Sequence, residues 1–446
     1  MYDPVFPFLI ILGACVGIGA IFSRSSKKPT HYYLGNRSLG WFPLAMSFVA
    51  TQVGGGFLLG TAEAAFRYGV FGVCYAASQS LGFLALALGL GAKWRALELN
   101  TGPELFEKYY GSRNLKRWAS LLSILSLTGI LIAQAVGLRK FFYSMGWSGE
   151  AIFLISWMAI VIYTMQGGFL AVVWTDCVQA ILMIGALLLI FGDVALFSPA
   201  VDEVSWLAAD PGEQMIAELA CLLMIPFLSM CIEQDMVQRC FAGRNGRQVT
   251  LAAAYSSAIL LALALIPVYF GSLARALGVI DVSSSKFMDA VLLSTNAFLA
   301  TLAASAVLLA IASTASSLLC AASSNLAQDF FLSSYSATRA RVLTALLGVA
   351  SYGASFLSAT IFDWMIGGCE LGVDCLFVPA LACVFAKEDC LARKPAAIAS
   401  VILGAFGFAL RLCYPLGIFR IVLPLALSGL GYLVGMAWAR EKEISV

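Results

Sequence analysis

Apolar runs of about twenty residues, the length that carries a helix across a bilayer core of ~30 Å, recur along the whole chain with only short polar gaps. The pattern predicts thirteen membrane-spanning helices, at 5–22, 41–66, 69–91, 117–138, 149–166, 169–191, 214–236, 251–274, 291–328, 342–361, 364–386, 395–412 and 418–438. The run at 291–328 is too long for one crossing and is expected to begin as an external re-entrant or surface helix. The first run has the length of a signal-peptide core, but it lacks a basic leader and a small-residue cleavage site, so it reads as a true span.

Composition sharpens the picture. Hydrophobic residues make up 61% of the 446 and charged residues 12%, against roughly 25% charged in a soluble chain. A soluble fold is excluded, and no soluble domain is expected at either end. The net charge of +2 offers no basic surface for nucleic acid, so the expected partners are the lipid bilayer and small molecules; oligomeric state is not readable. Charge placement says more than the total. With the amino terminus outside, 20 of the 27 basic residues fall in inner loops, against seven for the opposite orientation. The positive-inside rule therefore predicts amino terminus out and carboxyl terminus in, in the plasma or inner membrane. The loop 192–213 is then external, and it carries five acidic residues and no Lys or Arg, in agreement.

Two chemistries find no support. The twelve cysteines lie mostly within apolar runs without CxxC spacing, and His31 is the single histidine, so neither a disulfide framework nor a zinc site fits. A membrane-embedded enzyme would need convergent histidine, cysteine or paired carboxylates, which the pattern does not supply.

Three features carry chemistry instead. In the second span, Gln52-Val53-Gly54-Gly55-Gly56 puts three glycines and an amide at the midpoint. Each glycine costs about 1 kcal/mol relative to alanine in a helix, so the span is expected to break there. Unwound backbone at membrane depth must line a cavity or be buried in protein, and its freed carbonyls can coordinate a cation. Close packing through small residues is the plainer reading of the glycines alone. In the ninth span, Ser313, Thr314, Ser316 and Ser317 cluster at mid-membrane, with Ser313, Ser316 and Ser317 on one face. A single such hydroxyl usually bonds back to its own helix, whereas a cluster of oxygens suits a hard cation such as sodium. Asp176, in the sixth span, is an ionisable group in an apolar run, either functional or a helix cap near the inner interface.

Taken together, four segments resemble the sodium:solute symporter family: Leu34-Gly35-Asn36-Arg37-Ser38-Leu39-Gly40, the Gly167–Asp176 run, Glu233-Gln234-Asp235-Met236-Val237-Gln238-Arg239, and the hydroxyl cluster running on to Asp329. The resemblance implies an all-α polytopic membrane protein with the leucine-transporter-type fold, two inverted five-helix repeats preceded by one span and followed by two. The corresponding division is 1–40 for the first span and linker, 41–191 for the first repeat, 192–361 for the second with its outer loop, and 362–446 for the last spans and inner tail. The implied first sodium site takes carbonyls from Ala50, Val53 and Ala310 and hydroxyls from Ser313 and Thr314. A second sodium site would use Asp176, Ser316 and Ser317 with Ser313. Expected solute contacts are Gln52, Gly55, Gln79 and Glu233.

Within the family the broken span is similar to the choline transporters and the Trp174-Thr175-Asp176 neighbourhood to the proline transporters. The choline branch has aromatics where Gln52, Gln79 and Glu233 stand, and a quaternary ammonium needs aromatic faces. The expected function is a sodium-coupled symporter importing a small polar solute, an amino acid or related metabolite, with Na+ as coupling ion. The alternatives are an organic-cation transporter, a sodium-leak channel or a sensor of the same fold.

Overall fold

The computed structural model describes residues 33–147, 149–197, 213–281, 283–330, 337–357, 360–385, 393–414 and 419–444, with Gly13, Gly17, Trp206 and Gly417. Apart from its two glycines, the expected span 5–22 lies outside the described residues, as does most of the acidic loop 192–213.

The described chain is helical, with one isolated parallel bridge between Leu39 and Gly243. Its first membrane element is the bent pair α1 (Trp41–Gln52) and α2 (Gly56–Tyr68), followed by α3 (Val70–Ala96), a short α4 (Glu104–Tyr110) and α5 (Arg113–Ser144). The 48-residue α6 (Glu150–Phe197) leaves the helical path at Gly168, with φ 64° and ψ −168°. Beyond it come α7 (Glu213–Met230), α8 (Gln234–Ala242), α9 (Gly246–Leu263), α10 (Leu265–Ala276), α11 (Lys286–Ser294), α12 (Ala297–Phe330), α13 (Ala337–Ala354), α14 (Ile361–Phe385), α15 (Lys394–Cys413) and α16 (Phe419–Ile444).

Nine helical segments among the described residues are long and apolar enough to cross a membrane, and the bent pair makes a tenth. The difference from thirteen rests on three places. The spans expected at 149–166 and 169–191 are the two arms of α6 about Gly168. The span expected at 342–361 is the 18-residue α13, which ends at Ala354 and is not among the nine. The third place is 5–22. The long run from 291 is divided between the separate helix α11 and α12, which starts at Ala297.

Local chemistry sets several of these boundaries. The Ser112 hydroxyl accepts the amide of Leu115 at the start of α5, and the Asn245 side chain accepts that of Gln248 at the start of α9. These side chains satisfy donors that a helix start leaves unpaired. Placement in the fold follows burial. The most apolar stretches of α5 and α12 are 78% buried within the protein, against 33% and 39% for α15 and α16. The former pair is the centre of the bundle and the latter its lipid-facing margin.

Two helices are broken near their middles. Between α1 and α2 the axis bends by 53°. Between α7 and α8 the chain unwinds at Cys231–Ile232 and passes through extended backbone at Glu233, with Pro226 one turn before. The two elements are tied at one end, where the Leu39 amide donates to the Ala242 carbonyl and the Arg244 amide to that of Leu39. Further bonds close the same end: Arg37 donates to the carbonyls of Glu98 and Leu99, Gln238 to that of Tyr33, and Thr101 to the Asp329 carboxylate.

Candidate cation and solute site

The glycine break in α1–α2 is demanded by contact as well as by helix propensity. A Cβ on Gly54 would stand 2.3 Å from Thr314 Oγ1 and 2.9 Å from Gln134 Oε1, and one on Gly56 would stand 2.2 Å from Met365 Sδ. Here the plain packing reading and the broken-helix reading both hold. Without side chains at these positions, the unwound backbone lies directly against α5, α12 and α14.

The hydroxyl cluster of α12 meets the freed end of α1. Ser313 Oγ donates to the carbonyls of Ala50 (2.8 Å) and Ala310 (3.0 Å), and Thr314 Oγ1 donates to those of Thr51 (2.8 Å) and Ala50 (3.4 Å). Four of the five residues expected at the first sodium site, Ala50, Ala310, Ser313 and Thr314, are therefore joined in one hydrogen-bond network. Val53 is buried beside Gly54, and its carbonyl accepts none of the described hydroxyl bonds. Thr51 supplies a carbonyl that the sequence reading left out. Such a cluster of carbonyl and hydroxyl oxygens is the ligand type a hard monovalent cation takes, once the hydroxyl lone pairs turn inward.

The second expected site is arranged differently. Asp176 Oδ2 accepts from Ser47 Oγ (2.6 Å), from Arg239 Nη2 (3.2 Å) and from Ser317 Oγ (3.5 Å), while Oδ1 has no partner among the described residues. Arg239 also donates to Ser47 Oγ, Ser317 Oγ and the Asp235 carbonyl. Ser316 bonds back to the Ser313 carbonyl. Two corrections follow. Arg239, counted by sequence among the inner-loop charges, is a core residue only 1% exposed. Asp176 lies within α6 rather than capping a helix end, and a guanidinium lies against it. Burial of both partners makes that the stable arrangement, since either charge alone would be uncompensated.

A cavity of about 30 Å³ lies beside the break, lined by Gln52, Gln79, Glu233, Gln134, Tyr75 and Asp235 among others. A volume of that order holds a few waters, so admitting an organic solute requires its walls to part. Of the expected solute contacts, Gln52, Gln79 and Glu233 line it. Gly55 is held behind it, its amide donating to Gln134 Oε1 at 2.8 Å. Gln79 Nε2 donates to Gln52 Oε1 (2.8 Å) and to the Tyr75 hydroxyl (2.7 Å), so the two amides form one chain. Gln134 went unnoticed in sequence, although an amide inside the apolar stretch Ile130–Val136 is the same kind of signal that drew attention to Asp176.

Comparison with known proteins agrees with this geometry. The Sodium:solute symporter family matches over residues 32–349. A sodium/proline symporter of Haemophilus influenzae is 28% identical over 375 residues, covering 74% of this chain and 71% of the relative. A sodium/pantothenate symporter of the same organism is 33% identical over 201 residues, 43% of this chain and 41% of that one. Among solved structures, a substrate-bound outward-open Na+-coupled sialic acid symporter superposes with TM-score 0.77 at 18% identity over 96% of both chains. MhsT in complex with L-phenylalanine gives TM-score 0.61 at 14% identity, over 88% of this chain and 99% of the other. The chain belongs to the sodium:solute symporter family, a family of secondary transporters and not of enzymes, and has the leucine-transporter-type fold.

Proposed function

We propose that the protein imports a small polar organic solute, an amino acid or related metabolite, by alternating access driven by the inward sodium gradient. The observation that carries this reading is the meeting of α1's freed carbonyls with Ser313 and Thr314 immediately beside the cavity. A cation bound there neutralises carbonyl dipoles on both α1 and α12. It thereby favours the arrangement in which the two helices are together, and sodium occupancy is coupled to the shape of the solute cavity.

The first sodium site comprises Ala50, Val53, Ala310, Ser313 and Thr314, with the Thr51 carbonyl adjoining. A second sodium at Asp176, Ser313, Ser316 and Ser317 requires Arg239 to withdraw. One ion per cycle is the simpler stoichiometry. Each repeat begins at a broken helix. Counting five helical segments from α7–α8, the short α13 included, takes the second repeat through α14 to Phe385, beyond the limit of 361 read from sequence. The first repeat keeps its limits of 41–191. The amino terminus is outside and the carboxyl terminus inside: with Arg239 removed from the count, 20 − 1 = 19 basic residues still fall in inner loops against seven. On that orientation the tied end about Leu39, Thr101 and Asp329 is the cytoplasmic end. The plasma or inner membrane is the site of action.

Uptake of a radiolabelled amino-acid mixture into proteoliposomes tests the reading. An imposed inward sodium gradient is expected to drive accumulation that potassium or a proton gradient alone does not. Accumulation indifferent to sodium would contradict it, and sodium entry without any solute would favour a leak channel.

A further inference from the structure

We infer that the solute carries a protonated primary or secondary amine and that Glu233 receives it. The inference rests on the reading of the cavity as the solute site, and it concerns which chemistry that site selects.

The cavity wall contains two charged residues, Glu233 and Asp235, and neither lysine nor arginine. Among the described residues two polar atoms of the lining, Glu233 Oε1 and Gln79 Oε1, are buried without a hydrogen-bond partner, and both are acceptors. Gln79 is 4% exposed, so bulk solvent is shut out and only an occupant of the cavity can serve it. The neighbouring donors are already engaged. Gln79 Nε2 serves Gln52 and Tyr75, the Tyr75 hydroxyl lies 3.0 Å from Met365 Sδ, and Gln52 Nε2 lies 3.7 Å from Met236 Sδ. The wall thus offers unpaired acceptors with a charge of one sign. A buried acceptor left unpaired is costly, so the ligand that completes this wall must donate.

Net charge points the same way. In this part of the core the carboxylates are Asp176, Glu233 and Asp235 and the guanidinium is that of Arg239, which bonds Asp176 and the backbone carbonyl of Asp235 but has no described bond to Glu233. Ionised, the four carry −3 + 1 = −2. One sodium beside Ser313 brings this to −1, and one ammonium at Glu233 brings it to zero. A carboxylate-only solute would deepen the imbalance and meet no cation in the wall. A quaternary ammonium brings charge but no N–H, and the lining offers Phe57 and Tyr75 rather than a cage of aromatic faces. A polyol brings donors but no charge. A protonated amine with N–H groups, alone or as part of a zwitterion, supplies both.

Thermal stabilisation and calorimetric titration of the purified full-length chain in sodium distinguish these classes. The probes are the common amino acids and small alkylamines. Each binder is then compared with its ether or deaminated isostere and with its N-trimethyl or N-dimethyl quaternary counterpart; for L-proline these are tetrahydrofuran-2-carboxylate and N,N-dimethylproline. At least one amine is expected to stabilise the protein, and both of its counterparts are expected to fail. Glu233→Gln should weaken that amine by about tenfold or more, as loss of a charged hydrogen bond does, while sodium alone still stabilises the variant. Glu233→Asp should keep the preference for the amine. Equal stabilisation by an uncharged, anionic or quaternary probe, unchanged amine affinity in Glu233→Gln, or no stabilisation by any amine would each overturn the inference. If Glu233→Gln does not fold, the comparison of isosteres on the unaltered chain decides. Sodium-dependent binding of a solute without an amine would overturn this inference alone, whereas binding indifferent to sodium would overturn the symporter reading.

Discussion

Nη2 of Arg239 lies 3.2 Å from Oδ2 of Asp176, with the two side chains 1% and 0% exposed. The pair joins α8, one arm of the second broken helix, to α6, and its hydrogen bonds to Ser47 and Ser317 extend the joint to α1 and α12. Four helices that bear on transport therefore share one buried ion pair. Arg239→Gln leaves Asp176 buried and uncompensated and should cost about 3–5 kcal/mol. The double variant with Asp176→Asn should recover a large part of that loss. Thermal unfolding in detergent, run as a double-mutant cycle, checks this; additive losses would show that the pair is not the joint described.

Gly54→Ala should damage the proposed cation site directly. The added Cβ would stand 2.3 Å from Thr314 Oγ1, and overpacking of this kind costs about 1–3 kcal/mol. Gly185, in α6, has nothing within 4 Å of the position its Cβ would take. Gly185→Ala should therefore be neutral or stabilising by up to about 1 kcal/mol. Melting temperatures of the two variants with and without sodium provide the comparison, and only Gly54→Ala should lose the sodium-dependent shift.

Gln134→Ala should leave the Gly55 amide, now bonded at 2.8 Å, without its acceptor. An unsatisfied buried donor costs about 1–3 kcal/mol. Because that amide belongs to the unwound segment, the loss should appear in solute affinity as well as in stability. A variant melting and transporting like the parent would remove Gln134 from the site.

Glu107, on the short α4 outside the spans, pairs with Lys116. The hydrogen bond from Lys116 holds its carboxyl below the ordinary carboxylate range, against a smaller opposing effect of burial. A lowered folded pKa contributes stability that is present above the unfolded value of about 4.3 and is lost as pH falls through the folded value. Lys116→Gln should therefore reduce stability at neutral pH and flatten its decline on acidification. An acid titration of unfolding with the same slope in both proteins would contradict the pairing.

What sequence could show followed from strong local signals. The spans were legible because twenty apolar residues admit few other readings in a chain this poor in charge. The break at Gly54–Gly56 and the cluster at Ser313–Ser317 were legible because each violates the rules of a lipid-facing helix. Long-range partners were not. Arg239 reads as an inner-loop charge because it follows a hydrophobic run. Only the fold, which unwinds α7–α8 at Glu233 and carries α8 back into the core, brings it against Asp176. Thr51 escaped because a backbone carbonyl has no signature in the residue type. Gln134 did carry a signal, an amide within apolar sequence, but its partner is the amide of Gly55, distant along the chain.

The central claim is that sodium binds where α1 breaks against α12, and equilibrium binding of radioactive 22Na+ to the purified protein tests it without knowledge of the solute. The unaltered chain should bind the ion saturably, with displacement by excess unlabelled sodium and not by potassium. Ser313→Ala with Thr314→Ala removes two oxygen ligands and should weaken binding by about tenfold or more. Equal 22Na+ affinity in the double variant and the parent would contradict the account.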